Sequence, residues 1–145
     1  MRIRVAGALG LLVLGGCVGP ARTTDDYTRK ASTSVHDVHS AVETARLGVD
    51  AVARDRTTGP YVSVLLGQAE EQATSVQSTF DSVQPPNEDA DRLRDEVDGL
   101  LTQAVSVLGD VRIAARRGDT DGITGRGPAL ADISKRLSDL EDRLG

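Results

Sequence analysis

Residues 93–115 read LRDEVDGLLTQAVSVLGDVRIAA. Leu93, Val97, Leu100, Ala104, Val107, Val111 and Ala114 recur at alternating steps of four and three. That spacing is the a/d seam of a helix packed along another helix; a strand would need period two. Leu101, Leu108 and Ala115 add a second apolar stripe beside the first. A helix with two apolar stripes faces two partners, so this stretch requires more than a hairpin.

The same ladder occurs three more times. One is Ala31, Val35, Val38, Val42, Ala45, Val49 and Val52, flanked by the small residues Ser34, Ala41 and Gly48. Another is Val62, Leu66, Ala69, Ala73, Val76, Phe80 and Val83. The last is Leu130, Ile133, Leu137, Leu140 and Leu144. The expected fold is therefore all-α: an antiparallel up-down-up-down four-helix bundle with coiled-coil-like heptad packing.

The punctuation between ladders agrees. Asp25 and Asp26 suit the positive end of the first helix dipole, and Arg54 and Arg56 its negative end. Gly59-Pro60 and Gly127-Pro128 place proline where a first helical turn tolerates it. Gln84-Pro85-Pro86-Asn87 stops the second helix, and Gly118 is the expected residue just beyond the third. Gly118, Gly122, Gly125 and Gly127 mark the longest connection, expected to be a mobile loop open to trypsin at Arg117 or Arg126.

Ahead of the ladders, Met1-Arg2-Ile3-Arg4 is followed by uncharged Val5–Leu14, then Gly15, Gly16 and Cys17. A basic start, a short apolar run and a small-residue exit form a secretory signal layout. Ten apolar residues are too few to span a bilayer, which takes about 20. Cys17 is the only cysteine, so an internal disulfide is impossible.

Leu14-Gly15-Gly16-Cys17 resembles the lipobox of bacterial lipoproteins, over residues 1–17 only. The resemblance implies cleavage between Gly16 and Cys17 and a diacylglyceryl group on Cys17 Sγ. Two acyl chains meet the double requirement for stable anchoring. The expected organisation is a signal peptide at 1–16, a lipidated Cys17 with a tether through residue 24, and a helical domain at 25–145. The expected address is the outer face of the cell membrane.

Removing Arg2 and Arg4 leaves 15 of the 17 basic residues against 22 acidic, a net charge of −7. Such a chain has no electrostatic footprint for nucleic acid. Tyr27, Tyr61 and Phe80 are the only aromatics, too few for stacking platforms. The arginine-rich, lysine-poor usage is that of high-GC genomes.

Motifs for chemistry are sparse. His36, His39 and Glu43 share a helical face, a spacing that can hold metal. They lie off the seam and read as a solvated face, so no metal site and no cofactor is assigned. Asp119-Thr120-Asp121-Gly122 looks like the middle of a calcium loop. The calcium-loop frame puts Arg117 and Pro128 where acidic ligands are needed. Arg117-Gly118-Asp119 is explained by a helix stop. Glu88–Arg92, Asp132–Arg136, Asp139–Arg143 and Asp50–Arg54 read as surface i, i+4 pairs. No nucleophile–base motif appears, so no catalytic residue and no enzyme is expected.

The reading is a lipid-anchored interaction or structural module. It is held to the membrane through Cys17, with a protein partner left open and no nucleic acid. A ligand- or metal-sensing bundle is the alternative. A dry core favours the first, and a polar-lined cavity the second.

Overall fold

The computed structural model describes residues 21–145. It is all-helical, with no strand among the described residues. Four long helices, α1 (Thr24–Ala53), α2 (Gly59–Asp81), α3 (Glu88–Arg116) and α5 (Gly127–Leu144), pack around one apolar core. A six-residue helix, α4 (Thr120–Gly125), joins α3 to α5.

The ladders form that core. Ladder residues are buried apart from Val52, Val76, Leu93, Val107 and Leu144, which are partly buried against the rest. The second stripe of α3, Leu101, Leu108 and Ala115, is buried as well. α1 and α3 touch each other and both touch α2 and α5, whereas α2 and α5 do not meet. The two double-striped helices thus form the centre. α1 comes close to α2 through its small residues. A Cβ added at Gly48 would lie 2.8 Å from Leu65 Cδ2.

The helix ends have local causes. The Thr23 hydroxyl accepts from the Asp26 amide at 3.1 Å and caps α1. The Asn87 side chain caps α3 by accepting from the Ala90 amide at 3.0 Å, and its amide nitrogen donates to Thr24 Oγ1 at 2.7 Å. Gly118, at φ 67°, closes α3. The Asp119 and Gly118 amides then reach back to the Ala114 and Ala115 carbonyls, the paired bonds of a left-handed helix stop. α1 ends in the same way on Asp55, at φ 52°, with Asp55 and Arg56 bonded to Val52 and Ala51.

Two expectations about connections are corrected. The stretch read as a tether through residue 24 already holds the cap Thr23, the first residue of α1 and a buried Ala21. The glycine-rich segment expected to be a mobile loop contains α4. Asp119 caps α4 by accepting from the Gly122 amide at 2.8 Å, and Ile123 is buried. One apolar residue with a cap four residues before it is too short a signal for a periodicity test. Leu14, Gly15, Gly16 and Cys17 lie outside the described residues.

Candidate functional site: a polar seam between α1 and α5

His36, His39, Glu43 and Arg46 rise along α1 at steps of three or four, so they line one face. Ser134 and Glu141, two turns apart on α5, line the facing one. Glu141 accepts from both histidines. Its Oε1 meets His36 Nδ1, and its Oε2 lies 2.8 Å from His39 Nδ1. His39 Nε2 lies 3.3 Å from Ser134 Oγ. The Ser134 hydroxyl donates to Glu43 Oε1, which also accepts from Arg46 Nη1 at 2.6 Å. Arg46 Nη1 is 3.4 Å from Ser134 Oγ.

Ser134, 5 % exposed, is the buried polar residue of an otherwise apolar buried set. Its hydroxyl is satisfied by the seam, as a buried polar group must be.

The charges tune one another. The hydrogen bond and charge of Glu141 raise the pKa of His36. The same bond, helped by His39, lowers that of Glu141 against the opposing effect of burial. The Ser134 hydroxyl, followed by Arg46, lowers that of Glu43.

Ser134, His39 and Glu141 are wired in the order serine, imidazole, carboxylate. That order alone does not make a nucleophile. An activated serine gives its proton to the imidazole, whereas Ser134 gives its proton to Glu43. Ser134 also sits within α5, where neighbouring amides are spent on the helix and none is free for an oxyanion. What the arrangement can do is hold two helices together through ionisable groups.

Sequence reasoning placed His36, His39 and Glu43 on one face, and the structure agrees. It treated that face as solvated, and this holds for His36, whose side chain stays 63 % exposed, whereas His39 is partly buried against α5. Glu141 and Ser134 were missed because they lie about a hundred positions away in sequence. Their own signal was a serine and an acid two turns apart beside the leucine ladder. Among the described residues no group of three or more histidine, cysteine or acidic side chains is arranged to hold a metal ion.

Other ion pairs also run between helices. Of the four expected surface pairs, Asp50–Arg54 forms at 3.5 Å and Asp132–Arg136 at 3.9 Å. Arg143 instead crosses to Glu96 on α3, and Arg92 turns to Asp89. Arg112 on α3 meets Glu70 on α2 at 2.5 Å. Arg126 reaches Asp110, tying the end of α4 to α3.

A cavity of about 140 Å³ beside α4 is lined by Val52, Val62, Ala115 and Ile123 together with Asp55, Thr57 and Thr120. Open surface clefts of about 300, 460 and 640 Å³ lie between α3 and α5, between α2 and α3, and at the start of α1. Small-molecule sites usually occupy about 300–1,000 Å³.

No family model, curated protein or solved structure matches this chain.

Proposed function

We propose that this chain is a lipid-anchored helical module of the cell envelope, held at the outer face of the membrane through Cys17 and acting by binding or bracing another protein. The observation that carries the reading is the core: Val, Ala, Leu and Ile with Tyr27 and Phe80 fill the buried positions, and Ser134 and the Tyr27 hydroxyl are the polar exceptions. A ligand-sensing bundle needs polar groups converging on an enclosed space. The motif Leu14-Gly15-Gly16-Cys17 supports the anchor. No described helix is long and apolar enough to cross a membrane.

We read the four long helices as an up-down-up-down bundle on heptad seams. Support comes from residues that meet across helices with numbers running in opposite directions. Gly48 faces Leu65, and Glu70 and Gln77 meet Arg112 and Thr102. Glu96 and Gln103 meet Arg143 and Arg136, and His36 and Arg46 meet Glu141 and Ser134. The start of α1 would then face the membrane, no more than about 25 Å from Cys17 by chain length. The α1–α2 turn and α4 would point away from it.

The test is the anchor. In a bacterial host, wild type is expected to take up radiolabelled palmitate and stay in the membrane pellet after a high-salt wash. Cys17→Ala is expected to do neither. A mature N-terminus other than acylated Cys17, read by mass spectrometry, overturns the proposal.

A further inference from the structure

The geometry points to a proton-gated latch: the α1–α5 seam is fully hydrogen-bonded only when His39 carries both ring protons, so α5 is held tightly in mild acid and more loosely in base.

The argument is a proton count around Ser134. Its hydroxyl has one proton and three polar neighbours. Glu43 Oε1 can only accept, so it takes that proton. Arg46 Nη1 can only donate, so it approaches a lone pair. His39 Nε2, at 3.3 Å, also faces a lone pair and bonds there only as a donor. The other nitrogen, Nδ1, faces a carboxylate oxygen of Glu141 at 2.8 Å and must also donate. Both nitrogens then carry hydrogen, which is the imidazolium form. With His39 neutral, Ser134 must abandon either Glu43 or His39. A partly satisfied buried network is the costly state.

His36 acts in the same direction. Its pKa is raised by Glu141, so its contribution is full below the ordinary histidine value of about 6.5 and fades as pH rises through the folded value. Glu141 and Glu43 have lowered values, so theirs is present above about 4.5 and fades as pH falls through the folded values. The latch is therefore tightest between about pH 4.5 and 6.5.

The charged groups facing it are few. α1 supplies Asp37, Glu43 and Arg46, and α5 supplies Glu141. On α3, Glu96 and Asp110 are engaged by Arg143 and by Arg126 beside α4. On α2, Glu70 is engaged by Arg112.

The chain has two histidines, so both imidazoles can be followed in the folded protein by nitrogen-15 NMR. Both His39 nitrogens are expected to show protonated shifts at the pH where α5 amide exchange is slowest. Amide exchange across Ser134–Glu141, corrected for intrinsic rate, is expected to speed up about three- to tenfold relative to α2 between pH 6 and 8. Glu141→Gln is expected to flatten that dependence, because the uncharged amide no longer favours the imidazolium. A neutral His39 where α5 exchange is slowest overturns the latch, as does an α5 exchange profile that tracks α2 at every pH. Should Glu141→Gln fail to fold, the two wild-type measurements still decide. Zinc ions shifting both histidines at equimolar concentration at pH 7 would show a metal site instead, and would also overturn it.

Discussion

Tyr27 is fully buried, and its ring packs against Phe80 with centroids 5.7 Å apart at 51°. Its hydroxyl has no hydrogen-bond partner among the described residues. Desolvation raises its pKa, as for a phenol that has lost water without gaining a donor. Tyr27→Phe keeps the ring and its contact with Phe80 and removes only the oxygen. An unpaired buried hydroxyl costs about 1–3 kcal/mol. The oxygen-sized void left behind, roughly 10–15 Å³, costs about 0.3 kcal/mol at about 24 cal/mol per Å³. The net expectation is stabilisation by about 1 kcal/mol, or roughly 3–6 °C in Tm for a domain of this size. Calorimetry or circular dichroism melts of the two proteins at pH 7 would measure it. Buried tyrosines that are hydrogen-bonded give the opposite sign, so the outcome is diagnostic. A Tm that falls by a similar amount would mean that the hydroxyl is bonded in solution, and the orphan-group reasoning would fail.

Leu137→Ala, in the middle of the α5 ladder and fully buried, is expected to cost about 2–5 kcal/mol in chemical denaturation. Ser138→Ala, one residue on, is expected to change stability by less than about 0.5 kcal/mol; equal shifts would mean that α5 does not dock. Gly122→Ala would normally favour a helix, but a Cβ there lies 2.2 Å from Asp119 Oδ2. Loss of the α4 cap is expected to cost about 1 kcal/mol and to expose Arg117 and Arg126 to trypsin, read as earlier cleavage by gel. Asp55→Gly relieves a left-handed backbone at φ 52° and is expected to raise stability by up to about 1 kcal/mol, against the usual penalty for added glycine.

The parts of this fold that repeat were legible in the sequence, because a ladder of seven positions overdetermines its period. The burial of Leu101, Leu108 and Ala115 followed from their offset to the main stripe of α3. Helix stops were legible where glycine marks the left-handed residue, as at Gly118, and illegible at Asp55, which takes that conformation without being glycine. The candidate site was half legible. His36, His39 and Glu43 form a local pattern, but the partner that gives them meaning, Glu141, is brought in by tertiary packing. Periodicity says which face of α1 is polar. It cannot say that a second helix packs against part of that face, because a polar seam and a solvated face have the same spacing. Arg143 shows the same limit: Asp139 is its neighbour in sequence, yet it crosses to Glu96.

The polar stripe of α1 also has a bearing on how the chain assembles. His36 and Glu141 are 105 positions apart, so this contact is among the last that a chain growing from its N-terminus can make. Contacts between α1 and α2, or between α2 and α3, close over much shorter loops and form sooner. Until α5 arrives, α1 waits with one flank uncovered. That flank carries two imidazoles, a carboxylate and a guanidinium, all of which water satisfies. A stripe of leucine there would leave the half-built protein sticky during the interval when aggregation competes with folding. Placing this polar contact at a long sequence separation leaves that flank of α1 compatible with water until α5 packs beside it.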